Sequence, residues 1–219
     1  MTTIYFVRHG QASFGAESYD KLSPNGELQS ALLGQYFEKI LKEAPYVVAG
    51  SMLRHQQTAN FALAECFPEV DVETNNEWNE FNHQQVFELH DPRFSQPETL
   101  KSEVAKAESP RAYLSKIFEG AIQRWTGGDF HHEYDESWPD FQNRVETALE
   151  NLCNQVAESK PRYAVVFTSG GVISVIAGKL LELSINKTFA LNWANTNTSL
   201  TTVRLVGNQP QLLSLNEHH

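Results

Sequence analysis

The sequence predicts an α/β fold built on one mostly parallel sheet. Two observations support this prediction. Short apolar runs alternate with stretches of helical periodicity, and the runs are apolar at successive positions, as in central strands covered by helices on both faces. Strands that alternate with helices favour βαβ units. The 219 residues are enough for one large core, so a single domain is expected. The three clearest strands are Ile4–Val7, Tyr46–Ala49 and Tyr163–Phe167.

The first half of the chain carries the pattern β-α-β-α-β. Ser23 and Pro24 are residue types that favour the N-cap and first position of a helix. This helix carries an apolar stripe with helical spacing. Beyond the second strand, a helix is predicted from about Arg54 to Phe67, and a short strand near Val70–Val72. The stripe of the first helix consists of Leu28, Leu32, Tyr36, Phe37, Ile40 and Leu41.

The second half contains an insertion, and the sheet then resumes. Residues 81–136 lack a clear strand pattern and are predicted to be mostly helical. A long amphipathic helix from Trp138 to Val156, the strand Tyr163–Phe167 and a helix to about Leu183 follow. The last two strands, Ser199–Val206 and Gln211–Leu215, flank a Gly-Asn-Gln-Pro turn and predict an antiparallel hairpin at one edge.

The charge of the chain limits its partners. The formal net charge of −10 at pH 7 argues against a nucleic-acid partner or an anionic-membrane partner, since both usually need a basic face. A small anionic substrate remains compatible, because a few arginines can make a local positive pocket. Neither a signal-peptide pattern nor a membrane-spanning run is evident, so a cytoplasmic protein is expected, monomeric or homodimeric. The two cysteines lack metal-ligand spacing, and no metal is expected.

Three predicted strands end in unusual polar residues. In open α/β sheets, ligands bind beyond the carboxyl ends of the strands. Arginines, a histidine and a Gly-Gly helix start, brought together at this edge, would suit a phosphate group. The three strand ends are Arg8-His9-Gly10-Gln11, Ser51-Met52-Leu53-Arg54-His55 and Thr168-Ser169-Gly170-Gly171.

Five motifs follow one another along nearly the whole chain. They are Arg8-His9-Gly10; Leu22-Ser23-Pro24-Asn25-Gly26-Glu27-Leu28-Gln29; Ser51-Met52-Leu53-Arg54-His55-Gln56-Gln57-Thr58-Ala59; Trp78-Asn79-Glu80; and Glu136-Ser137-Trp138-Pro139-Asp140-Phe141-Gln142-Asn143-Arg144-Val145. In this order they resemble the histidine phosphatase superfamily, also called phosphoglycerate-mutase-like. The third motif fits with one residue fewer between its leucine and its arginine.

The resemblance implies a fold and a mechanism. The fold would be a three-layer α/β/α sandwich with a mostly parallel sheet and one antiparallel edge strand, and residues 81–136 would form an inserted cap over the active-site end. His9 would be the nucleophile, forming a phosphohistidine. Arg8 and Arg54 would bind the phosphate oxygens, with Gly170 beside them. Glu80 would protonate the leaving oxygen and needs a raised pKa to do so, with Glu77 as a competing candidate. The substrate would be small and phosphorylated, and no cofactor is implied.

One position departs from the family pattern. Its last motif is H-G-G, in which a second histidine contacts the phosphate. This chain has Ser169 there, so a short neutral hydroxyl would take the phosphate-binding position. Three outcomes stay open. The chain could be a slow phosphatase, could fill the gap with His83 or His55, or could bind phosphorylated ligands without turnover. A mutase with the same chemistry is a further alternative, made less favourable by the loss of this histidine.

Overall fold

The computed structural model describes residues 1–13 and 20–219. Within these ranges the chain forms six strands and eight α-helices. The strands are β1 (Thr2–Arg8), β2 (Tyr46–Ala49), β3 (Val72–Thr74), β4 (Tyr163–Thr168), β5 (Leu200–Val206) and β6 (Gln209–Glu217). The helices are α1 (Pro24–Ile40), α2 (Leu53–Leu63), α3 (His83–His90), α4 (Pro97–Lys106), α5 (Pro110–Thr126), α6 (Trp138–Ser159), α7 (Gly170–Leu180) and α8 (Ile185–Ala194).

The strands form one sheet in the order β3-β2-β4-β1-β5-β6. The first four strands pair in parallel, whereas β5 pairs antiparallel with both β1 and β6. This confirms the α/β class, with a mostly parallel sheet and antiparallel pairing towards one edge. Each predicted strand is present, although β3 begins two residues later than its sequence pattern indicated.

The strand order places helices on both faces of the sheet. The connections from β1 to β2 and from β2 to β3 run in one direction across the sheet, and the connection from β3 to β4 runs in the other. Because parallel crossovers are right-handed, α1 and α2 cover one face and α6 covers the opposite face. Val7, Val165 and Phe167 form a buried cluster with Phe37 of α1 and Ala59 of α2 on the first face.

The buried face of α1 differs from the predicted stripe. Leu28 and Leu32 are exposed, whereas Leu33 and Phe37 are fully buried. The reason is a close approach between α1 and α2 at Gly34, where a Cβ atom would lie 2.5 Å from the carbonyl oxygen of Ala62. Gly34 thus faces α2, whereas Gly26 and Ser30 face the segment after β1, and this orientation turns two of the expected leucines towards solvent.

Helix α8 was not predicted from the sequence. It buries only Thr188 and Phe189, so its residues carry little apolar periodicity. The preceding helix, α7, ends at Leu180, because Glu182 takes a positive φ of 53° that a helix cannot continue. The pattern that was interpreted as one helix reaching Leu183 is therefore a shorter helix followed by a turn.

The chain divides into two compact units. The first contains residues Met1–Glu80 and Arg144–His219, including the whole sheet, and the second contains Phe81–Asn143. The second unit consists of α3, α4, α5, the start of α6 and short 3-10 turns, in agreement with the predicted helical insertion. Its interior includes Trp125, which is fully buried and packs against Phe81, Trp138 and Phe141. A single domain with a cap at 81–136 stays a prediction.

In the described part of the chain, none of the helices combines the length and the apolar character that crossing a membrane requires.

Candidate active site

The three strand ends singled out in the sequence lie side by side. Strands β2, β4 and β1 are neighbours in the sheet. The backbone N–H of His9 donates to the carbonyl of Thr168 at 2.9 Å, and that of Gly50 donates to the carbonyl of Phe167 at 3.0 Å. The residues that follow each strand are therefore held at one edge of the sheet. From this edge the chain leaves β1 for a helix on one face of the sheet, whereas the connection from β3 to β4 crosses the opposite face. Such a switch of direction opens a crevice for a ligand.

His9 is held in a defined orientation. The residue is 9% exposed, and its Nδ1 atom lies 2.7 Å from the carbonyl oxygen of Gly10. A carbonyl can only accept, so Nδ1 carries the proton and Nε2 keeps its lone pair in the neutral ring. Burial, and then the positive charges of Arg54 and Arg8, hold the pKa of His9 well below 6.5. The ring is therefore neutral at pH 7, with Nε2 available as a base or nucleophile.

Gly10 is required by a close contact. A Cβ atom at this position would lie 2.5 Å from the carbonyl oxygen of Gly26 and 2.9 Å from Oγ of Ser30. Helix α1 therefore packs directly on the backbone at Gly10. The N–H of Gly10 also donates to Oγ1 of Thr58 on α2 at 3.0 Å. The segment that carries His9 is thus fixed from both α1 and α2.

Two arginines lie near the His9 ring. Arg54, at the start of α2, is 5% exposed and pairs with Asp20 at 2.6 Å. Asp20 also accepts the N–H of Leu53 through its other oxygen at 2.7 Å. Arg8 donates to the carbonyl of Asn195, and its Nε lies 3.5 Å from the position of a Cβ built on Gly170. Gly170 thus lies in ordinary contact with the Arg8 guanidinium, and a Cβ there would instead meet Oδ1 of Asn192.

The carboxylate of Glu80 reaches the beginning of α7. Its Oε2 atom accepts the backbone N–H of Gly171 at 2.9 Å. The segment just before Glu80 is bonded to the end of β4, because Oγ1 of Thr168 donates to the carbonyl of Trp78 at 2.6 Å. Glu77 is exposed. Of the two acids considered from the sequence, Glu80 is the one whose carboxylate is bonded beside Gly170.

Ser169 contacts a second buried histidine. Its Oγ atom lies 2.6 Å from Nε2 of His55, whose ring is fully buried and 5.7 Å from the His9 ring, centre to centre. Burial, the neighbouring His9 and Arg54 lower the pKa of His55 well below 6.5, so this ring is also neutral at pH 7. The sequence offered His55 as one of two possible replacements for the missing histidine, and the structure turns its ring inward to Ser169.

His83, the other histidine considered as a replacement, belongs to the second unit. It is the first residue of α3 and lies edge-on to Phe87, with ring centres 6.5 Å apart.

The sequence pattern assigned no role to several polar residues of the site. Asn197 donates to the carbonyl of His9 at 2.9 Å, and the side chain of Asn195 lies 3.5 Å from the carbonyl of Gly170. Asp20 and Thr58 complete this set through the bonds described above. The available signal was weak: an Asn-Thr-Asn run before β5, and an aspartate two residues before the Leu22-Ser23 motif.

The arrangement suits a phosphate group. Two guanidinium groups and the N-terminal end of α7 favour an anion, and the Glu80 carboxylate already accepts the Gly171 N–H at this helix end. The neutral His9 ring can approach such an anion without adding negative charge. Among the residues that the structure describes, no group of three or more His, Cys, Asp or Glu side chains is arranged to hold a metal ion.

A comparison with known families places the chain in one of them. The chain belongs to the histidine phosphatase superfamily (branch 1), whose sequence profile matches residues 4–218. No curated protein sequence gives a significant match.

Solved structures share the fold at low sequence identity. A phosphoglycerate mutase from Bacillus anthracis is 15% identical, with a TM-score of 0.66 over 99% of this chain and 93% of that chain. The alpha-ribazole phosphatase from Shigella flexneri is 13% identical, with a TM-score of 0.60 over 99% and 96%. A phosphoserine phosphatase from Entamoeba histolytica, in complex with 3-phosphoglyceric acid, is 16% identical, with a TM-score of 0.58 over 100% and 98%.

Proposed function

We propose that this protein is a phosphatase that hydrolyses small phosphate monoesters through a phosphohistidine at Nε2 of His9. The observation that carries the proposal is the orientation of His9: Nδ1 is committed to the Gly10 carbonyl, and the neutral ring lies near two arginines. A group that only bound phosphate would not need a histidine with a free lone pair. The names of the structural neighbours include both phosphatases and a mutase, which supports phosphoryl transfer as the reaction class.

The proposed reaction has two steps. In the first, Nε2 of His9 attacks phosphorus, the P–O bond to the leaving group breaks, and Glu80 donates a proton to the leaving oxygen. In the second, Glu80 takes a proton from water, the water oxygen attacks phosphorus, and the bond to Nε2 breaks to release inorganic phosphate. Arg8, Arg54 and the positive N-terminal end of the α7 dipole stabilise the charge on the transferred phosphoryl oxygens.

The first prediction tests the nucleophile. His9→Ala should lower kcat for p-nitrophenyl phosphate at least about 10³-fold, because the covalent route is lost. His132→Ala changes an exposed histidine outside the first unit and serves as the matched control. Steady-state turnover of purified wild type and both variants is the measurement.

A second readout is chemical. Acid-labile, alkali-stable label should be trapped on His9 when wild type is quenched during turnover of a radiolabelled monoester. Undiminished turnover in His9→Ala, or label on another residue, would contradict the mechanism. A wild type that binds phosphate but shows neither turnover nor label would indicate a non-catalytic binder, and transfer of the label to a second organic hydroxyl would indicate a mutase.

A further inference from the structure

We infer that His55 fixes the Ser169 hydroxyl as a hydrogen-bond donor to the phosphate, so that two side chains from different elements supply the contact made by one histidine in the H-G-G pattern. The inference rests on the proposed function, because it concerns the same phosphate site. It makes Ser169 a phosphate-binding residue and His55 a positioning residue, and it goes further than a general replacement of the lost histidine by naming the bond and its direction.

The direction of the bond follows from the other ring nitrogen. Nδ1 of His55 is buried and has no hydrogen-bond partner among the described residues. A buried N–H without an acceptor is rarer and costlier in proteins than an unpaired acceptor. The proton of the neutral ring therefore lies on Nε2, which donates to Oγ of Ser169 across 2.6 Å. Because Oγ accepts this bond, the hydroxyl proton is directed elsewhere.

The Ser169 side chain does not cap the helix that it precedes. It is the N-cap residue of α7, where a serine oxygen commonly accepts an N–H from the first turn. Here the Ser169 side chain makes no cap bond, and Glu80 accepts the N–H of Gly171 instead. The only side-chain hydrogen bond described for Ser169 is the one to His55. Its proton thus remains available for a ligand.

Ser169 lies where its hydroxyl could contact a phosphate bound between His9 and Arg8. The residue before it receives the backbone N–H of His9, and the residue after it lies beside the Arg8 side chain. The His55 ring, in turn, lies 5.7 Å from the His9 ring. The Ser169 hydroxyl therefore borders the space in which His9 would receive a phosphoryl group. A histidine at 169 would need the volume that the His55 ring already fills.

The test is a double-mutant cycle on turnover of p-nitrophenyl phosphate. Ser169→Ala should lower kcat by about 10²-fold, with a smaller change in KM, as expected for the loss of one oriented donor. His55→Phe keeps the ring volume but removes the donor, and should lower kcat to a similar extent. The double variant should be no slower than Ser169→Ala alone. His55→Gln, which keeps an N–H donor, should recover much of the activity.

Ser169→His provides the complementary variant. Alone, it should not raise activity, because the His55 ring occupies the space for the new side chain. Combined with His55→Ala, it should be faster than His55→Ala alone, since a histidine donor then fits. Wild-type kcat in His55→Phe, or losses that multiply in the double variant, would overturn the inference.

Failure of the inference can be separated from failure of the proposed function. If wild type lacks turnover, or His9→Ala keeps it, the phosphatase mechanism fails, and the inference is then judged by two readouts that need no turnover. Histidine ¹⁵N NMR, assigned with His55→Phe, should show the proton of His55 on Nε2. Calorimetric binding of orthovanadate should weaken about 10-fold or more in Ser169→Ala. A proton on Nδ1, or unchanged vanadate affinity, would overturn the inference.

Discussion

At the scale of single residues, Arg54 already has an anionic partner in this structure. The carboxylate of Asp20 pairs with its guanidinium at 2.6 Å, although the Asp20 side chain is 40% exposed whereas that of Arg54 is 6% exposed. A phosphate entering the site would compete with this carboxylate for the same donors. Because the pair is partly open to water, its free energy should be modest, about 0.2–1 kcal/mol.

Asp20→Asn should therefore lower KM for p-nitrophenyl phosphate by up to about 5-fold and leave kcat nearly unchanged. The asparagine oxygen keeps an acceptor for the N–H of Leu53, so the start of α2 should stay intact. Asp71→Asn makes the same charge change at an exposed position and is the control. A higher KM in Asp20→Asn would mean that Asp20 orients Arg54 for the phosphate and does not compete with it.

At this scale the sequence predicted the residues of the motifs but not the distant residues that contact them. Arg8, His9, Arg54 and Glu80 each belong to a recognisable segment. Asp20 lies 34 residues from Arg54, and its role depends on a contact that no local pattern encodes. His55 was considered, but its partner Ser169 is 114 residues away, so only the folded chain selects between the solvent-facing and the inward orientation.

At the scale of elements, the pairing of α1 with α2 depends on a glycine. At Gly34 a Cβ atom would lie 2.5 Å from the backbone oxygen of Ala62, in the helix that also carries Arg54 and His55. Backbone atoms cannot turn away as a flexible side chain can. The packing of α1 therefore helps to set where α2 presents its site residues.

Gly34→Ala should destabilise the protein by about 1–3 kcal/mol, because overpacking outweighs the gain in helix propensity of about 1 kcal/mol. Gln35→Ala, at the adjacent exposed position of α1, tests the propensity effect alone and should be neutral or slightly stabilising. Urea unfolding followed by circular dichroism gives both values. Equal stability of Gly34→Ala and wild type would show that α1 and α2 separate at little cost.

Element prediction succeeded where a pattern is strong and failed where packing decides. The strands are apolar at successive positions, and Ser23 and Pro24 do begin α1 as predicted. The exposure of Leu28 and Leu32 was missed, because α1 packs small residues against α2 and against the segment after β1. Helix α8 was missed because only two of its residues are buried.

At the scale of the whole molecule, folding buries two histidines in a common site. His9 and His55 both have a pKa well below 6.5, since burial disfavours the charged ring and Arg54 repels it. The unfolded chain therefore binds more protons than the native chain as the pH falls below 6.5. The stability due to the neutral rings is fully present above that pH and is lost progressively below it.

The free energy of unfolding should thus fall on acidification from pH 7 to pH 5, by up to about 1.4 kcal/mol per pH unit for each histidine. His55→Phe should show a shallower decline than wild type over this range, because one of the two rings no longer titrates in the unfolded state. His132→Ala, which alters an exposed ring, should follow the wild-type slope. Urea unfolding at a series of pH values measures these slopes, and identical slopes in all three proteins would contradict the assignment.

The sequence by itself determined the α/β class, the order of the strands along the chain and the polar segments that follow them. These depend on local apolar patterns and short motifs, which can be identified without a fold. The tertiary structure decided the strand order in the sheet, the close contact at Gly10, the pairing of Asp20 with Arg54 and the bond between His55 and Ser169. Each of these joins residues far apart in the chain, and their meeting is fixed only when the sheet assembles and the helices pack on it.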